Sequence, residues 1–145
     1  LVCFGSSFNV LDRAASLREA ARLLQACGWI ACLWNHRDLD DPVQRKIETV
    51  IRRRLPDYAL GTRRENPSDV IRESGLFDAA RNFDCRFTHH ASRDIFVAGF
   101  RAHATLVRQA GRQLDAILDD ISHALPARVS VPFSTRIWVA QKLHG

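Results

Sequence analysis

Apolar positions along this chain follow three spacings, and each spacing predicts a different element. Residues 1–4 and 29–34 are near-continuous apolar runs (Leu1-Val2-Cys3-Phe4 and Trp29-Ile30-Ala31-Cys32-Leu33-Trp34), the pattern of strands covered on both faces. Between them Ala14, Leu17, Ala21 and Leu24 recur at helical spacing, with Arg18, Arg22 and Gln25 turned outward. Asp12 or Ser16 can cap that helix, and Ser16-Leu17-Arg18-Glu19 has the capping-box pattern. Gly28 is expected to supply a positive-φ turn into the second strand. Together these predict a βαβ unit with a right-handed crossover. A parallel pair of this kind places a ligand crevice beyond the carboxyl ends of its strands.

Further along, Val43, Ile47, Val50, Ile51 and Leu55 predict a helix over 41–55, with Pro42 in its first turn and Pro56 as its stop. Residues 57–65 read as a loop. Asn66-Pro67 opens a short helix that Gly75 ends. Residues 82–88 alternate strictly, with Phe83, Cys85 and Phe87 on one face, as in a strand with one wet face or near an edge. From Ser92 to about Ala110, Phe96, Phe100, His103, Val107 and Ala110 recur at three and four. A further helix carries Leu114, Ile117, Leu118, Ile121 and Leu125. These two helices are expected to form a lid or cover over the sheet. Ile137-Trp138-Val139-Ala140 closes the chain as a strand, with Pro132 before it marking an edge or bulge.

The 145 residues suit one domain, and no apolar run approaches the roughly 20 residues of a membrane span. A soluble, cytoplasmic protein is the expectation. Cys3, Cys27, Cys32 and Cys85 lack C-x-x-C spacing and are expected to be core thiols in a reducing compartment. The net charge of +5 comes chiefly from arginine, since Lys46 and Lys142 are the chain's lysines. These arginines are spread along the chain, a pattern of solvated surface more than of one anion-binding element.

Three stretches carry a resemblance: Phe8-Asn9-Val10-Leu11-Asp12-Arg13, then Leu17-Arg18-Glu19-Ala20-Ala21-Arg22-Leu23-Leu24, then Gly28-Trp29-Ile30-Ala31-Cys32-Leu33-Trp34-Asn35. They resemble the carboxyl-terminal half of class I S-adenosylmethionine-dependent methyltransferases, in the small-molecule branch that includes trans-aconitate and ubiquinone or menaquinone methyltransferases. In that family an F-H/N-x-x-D loop leads into an L-x-E-x-x-R-V-L-K-P-G-G helix and turn. Thr135-Arg136-Ile137-Trp138-Val139-Ala140 resembles the family's final antiparallel strand. The resemblance is specific over 8–35 and architectural over 41–128. Gln25-Ala26-Cys27-Gly28 departs from the family's Lys-Pro-Gly-Gly.

The resemblance implies an α/β, Rossmann-like sheet with helices on both faces, of which this chain holds strands 4-5-7-6 of the family order 3-2-1-4-5-7-6. The glycine-rich cofactor loop and the ribose-binding acid would both precede Leu1. A complementary amino-terminal half or a homodimer partner is therefore expected to cover the open strand edge. S-adenosylmethionine would bind only with that complementary half, with Gly5, Ser6, Ser7, Phe8 and Asn9 beside its methionine part.

Trp34, Asn35 and His36 end the second strand and would face a small-molecule acceptor, with His36 as a candidate base near its ordinary pKa of about 6.5. The plainer reading of His36 is an exposed loop histidine. Arg101 and His103, with Arg108, could clamp an acceptor carboxylate, although His103 also reads as a core histidine. Cys85, His89 and His90 do not converge as metal ligands, because neighbouring strand residues face opposite ways. Arg52-Arg53-Arg54 and Arg63-Arg64 lack interleaved aromatics and read as a solvated basic face more than a nucleic-acid surface. The competing function is a non-catalytic subunit that binds a protein through the open edge.

Overall fold

The computed structural model describes residues 1–144, and Arg63 by its main chain only. Gly145 and the Arg63 side chain, the latter part of the basic pair read from the sequence, lie outside the described residues. Four strands form one sheet: β1 (Val2–Gly5), β2 (Trp29–Arg37), β3 (Arg81–Ser92) and β4 (Arg128–Gln141), in the order β1-β2-β4-β3. β1 and β2 run parallel, with Val2 opposite Ile30 and Gly5 opposite Leu33. The Lys142 amide donates to the Gly28 carbonyl at 2.8 Å and the Asp38 amide to the Pro132 carbonyl at 2.9 Å, so β4 runs antiparallel to β2. Likewise Asp78 donates to Gln141 and Arg93 to Ala127, each at 2.9 Å, which sets β3 antiparallel to β4. The fold class is the expected open-sheet α/β.

The helices are α1 (Arg13–Leu23), α2 (Pro42–Arg54), α3 (Ser68–Glu73), α4 (Arg93–Ala98), α5 (Ala104–Ala110) and α6 (Leu114–Ala124). The described residues divide into two compact units, one of residues 1–36, 62–85 and 134–144, the other of Arg37–Gly61 and Arg86–Phe133. In the first unit, Leu17, Ala20, Ala21 and Leu24 bring α1 onto Phe8, Ile30, Ile71 and Phe77. In the second, Ile47, Val50 and Ile51 of α2 share a cluster with Ile117, Leu118 and Ile121 of α6 and with Val129 and Val131 of β4. Arg54 and Asp120 tie α2 to α6 by an ion pair at 2.6 Å.

Several expectations change once neighbours are visible. β1 is not covered on both faces, because Cys3 and Gly5 are exposed while Val2 and Phe4 are partly buried. The cysteines are not all core thiols. Cys32 is buried, Cys27 partly so, and Cys3 and Cys85 are exposed. Cys3 faces away from its partly buried neighbours Val2 and Phe4, since strand residues alternate between faces, and Cys85 shares an exposed face of β3 with Phe83 and Phe87.

Asp12 caps α1, accepting from the Ala15 amide at 2.9 Å, while Glu19 is taken by Arg22 at 2.7 and 2.8 Å instead of closing a capping box. Gly28 does not supply the positive φ; Cys27 does, at 59°. Gly28 is needed for closeness instead, because a Cβ there would lie 2.9 Å from the Gln25 carbonyl oxygen and 3.0 Å from the Leu24 side chain.

The long helix expected over 92–110 is broken. A turn over Gly99–Ala102 separates α4 from α5, and His103 caps α5 by accepting from the Leu106 amide at 3.3 Å. Phe96, Phe100, Leu106 and Ala110 all enter the second unit's core, so these helices are core elements and not a lid. Pro132 sits inside β4, an inner strand of the sheet and not an edge. Its partner Asp38 lies just past the end of β2, so the missing amide costs no ladder bond within that strand.

Candidate functional site

β1 ends at Gly5, and the chain turns sharply at Ser6, which holds a positive φ of 57° while its amide donates to the Leu33 carbonyl at 2.8 Å. A left-handed serine carries backbone strain and persists only where its surroundings impose it. Phe8–Val10 then form one 3₁₀ turn before Asp12 starts α1. That turn buries Phe8 completely and Asn9 nearly so, while Gly5 and Ser6 stay exposed. Phe8 lies against Phe4, with ring centroids 5.2 Å apart.

Asn9 is the polar anchor of this turn. Its Nδ2 donates to the Glu65 carbonyl at 2.9 Å, and Thr62 Oγ1 donates to the Asn9 carbonyl at 2.9 Å. Arg13 pairs with the Glu65 carboxylate, so the 62–65 segment is strapped to the loop from both sides. Asn9 Oδ1 remains buried without a hydrogen-bond partner. A buried polar atom left unpaired carries a desolvation cost that a bound donor would relieve.

β2 contributes the second wall by its alternation. Trp34 and His36 face one way and are buried; Asn35 faces the other, is exposed, and accepts from Thr135 Oγ1 at 2.7 Å. Trp34 meets Trp138 edge to face at 5.3 Å, and its Nε1 is also buried without an acceptor. His36 is 8% exposed. Burial pushes its pKa down to about 4, the Arg64 and Arg136 guanidinium groups push the same way, and Asp84 opposes them. The imidazole is therefore neutral at physiological pH.

The structure thus brings Phe8, Asn9 and Trp34 into or beside one buried cluster, with His36 on the Trp34 face. It turns Asn35 away from that face. Arg101 and His103 belong to the second unit, where Arg101 pairs with Asp115 at 2.7 Å and His103 caps α5. Sequence reasoning missed Thr62, Glu65 and Asp84. Asp84 had a signal, its place on the polar face of an alternating strand, whereas Thr62 and Glu65 lie in a loop with none. Arg64 was grouped with a solvated basic face, yet its charge reaches His36. No group of histidine, cysteine or carboxylate side chains suited to a metal occurs among the described residues. No described helix is long and apolar enough to cross a membrane.

Sheet and loop together give an open-sheet α/β protein with a polar, partly unsatisfied turn after the first of two parallel strands. No family model and no curated protein matches the sequence. Among solved structures, the chain is similar to a "putative methyltransferase" from Bacillus halodurans C-125, at 15% identity and a TM-score of 0.44. It is also similar to a "putative type II methyltransferase" from Anaeromyxobacter dehalogenans, at 14% identity and a TM-score of 0.47. These alignments cover 99% and 96% of this chain but 64% and 62% of the other two, so it spans less than two-thirds of either.

Proposed function

We propose that this chain serves S-adenosylmethionine-dependent methyl transfer to a small organic acceptor, as the acceptor-side half of a larger Rossmann-like sheet. The observation that carries the reading is the turn at Ser6–Asn9. It lies at the crevice of a parallel βαβ unit, bears the residues that resemble the methyltransferase loop, and leaves a buried acceptor atom, Asn9 Oδ1, without a donor. The order β1-β2-β4-β3 supports the same reading.

S-adenosylmethionine, when bound, would supply an electrophilic methyl group on a sulfonium. Two features of this turn support a fit to its methionine end: a Cβ at Gly5 would meet nothing within 4 Å beside the exposed Ser6, and Asn9 Oδ1 is an acceptor left without a donor. Trp34 and Phe8 form a dry wall that excludes water from the transfer. His36, neutral and with its pKa held near 4, is a weak base. Its role is to accept a hydrogen bond from an acceptor hydroxyl and orient it, more than to store the proton.

A second reading has its own observation. β1 stands at one end of the sheet order with alternate residues exposed, so a protein partner could pair with it while no chemistry takes place. Calorimetric titration with S-adenosylmethionine separates the two. The methyltransferase reading expects heat when the chain is combined with a polypeptide supplying the glycine-rich half, and loss of most of that heat in Asn9→Leu. Absence of heat in the combined sample would leave the scaffold reading standing.

A further inference from the structure

β3 ends the sheet opposite β1, is twelve residues long, and has nearly every side chain exposed. Phe83 is 56% and Phe87 41% exposed, a large apolar load for an edge strand. Such edges are usually protected by lysine, proline or a bulge, and β3 contains neither lysine nor proline. Its central sequence, Phe83-Asp84-Cys85-Arg86-Phe87, has a further property. Read backwards, aromatic meets aromatic, acid meets base, and cysteine meets itself.

We infer that β3 is a homodimer interface, in which two copies pair antiparallel about a twofold axis through Cys85. In that register Phe83 of one copy lies opposite Phe87 of the other on one face of the joined sheet. On the other face Asp84 lies opposite Arg86, twice over by symmetry. Directly opposed aromatic pairs and opposed charges are the cross-strand contacts that stabilise antiparallel sheets. Phe87 is stacked on Phe133 of β4 with ring centroids 5.5 Å apart, and still 41% exposed. A slip of two residues would set Phe83 opposite Cys85 and Asp84 opposite itself, so the charge pattern selects one register. The interface is isologous, as twofold pairing requires. It is independent of the methyl-transfer reading, because it uses the other edge of the sheet.

The register also places the two Cys85 residues directly opposite each other. Opposed Cα atoms in antiparallel strands lie about 4.5 or 5.5 Å apart, and both separations are within disulfide reach. Glutathione disulfide is then a probe of the register. Two Cys85 thiols would form one S–S bond, two electrons passing to glutathione disulfide, which leaves as two glutathione thiols.

The test uses charge reversal, read by sedimentation of the whole chain. The unaltered chain is expected to dimerise at micromolar concentration. Asp84→Arg and Arg86→Asp are each expected to weaken dimerisation by roughly tenfold or more, since each sets like charges opposite one another twice. Mixing the two singly substituted chains should restore pairing as a heterodimer, an outcome that misfolding could not produce. In a Cys3→Ser, Cys27→Ser background, glutathione disulfide should link the dimer through Cys85, and Cys85→Ser should abolish the link. A monomeric unaltered chain would overturn the proposal. So would mixed variants that stay apart, or a dimer indifferent to both reversals.

Discussion

His36 lies nearly buried at the end of β2, in the field of two guanidinium groups and one carboxylate, and its protonation is tied to the integrity of the fold. In the unfolded chain it titrates near pH 6.5, in the folded chain near 4. Between those values the unfolded chain holds a proton that the folded chain does not. Stability therefore falls as pH drops from about 6.5 to about 4, by at most about 1.4 kcal/mol per unit from this group, and the contribution levels off below. Urea unfolding from pH 7 to pH 4 should show a shallower decline for His36→Gln than for the unaltered chain; identical slopes would contradict this. The cysteines give a sharper residue-level check. Burial, with a smaller contribution from Cys3, raises the Cys32 thiol to about 12. A thiol reagent at neutral pH should label Cys3 and Cys85 in the native chain within minutes and leave Cys32 unlabelled until denaturant is added. The sequence could not tell Cys3 from Cys32, because both sit in apolar runs and only the position of each strand in the sheet separates them, whereas Cys85, between Asp84 and Arg86, already stood in an alternating strand.

At the scale of elements, the turn from α1 into β2 is where local chemistry and packing divide the work. Cys27 takes the left-handed conformation and Gly28 takes the close approach to Gln25 and Leu24. Cys27→Gly should leave stability unchanged or raise it by up to about 1 kcal/mol, since relieved strain is set against added chain entropy. Gly28→Ala should cost about 1–3 kcal/mol by crowding. If denaturant midpoints moved in the reverse order, the assignment of the two roles would be wrong. Asp12→Ala should cost about 1 kcal/mol through the lost cap, whereas Ser16→Ala should be nearly silent. Here the sequence was legible in kind: it marked a capped helix and a glycine turn. It left open which of two caps acts, because Asp12 and Ser16 both precede plausible first turns. The break between α4 and α5 was not legible, since apolar spacing survives a 3₁₀ turn well enough to imitate one helix.

Across the whole molecule, the proposed partner half has a thermodynamic consequence. A polypeptide that binds the folded chain and not the unfolded one raises the melting temperature in proportion to the logarithm of its concentration. Thermal scans with increasing amounts of the glycine-rich half should therefore show a rising midpoint, and a flat response would argue against that partner. The sequence by itself determined the βαβ opening, the order of elements and the α/β class, because apolar periodicity is a local property of the chain. It also carried the residues of the Ser6–Asn9 turn. Only the tertiary structure decided which face of each strand is wet, that Asn9 is left with an unpaired oxygen, and that Thr62, Glu65, Arg64 and Asp84 gather around the turn and His36. Burial and hydrogen-bond pairing depend on residues far apart in the chain, and no spacing along it records which of them meet.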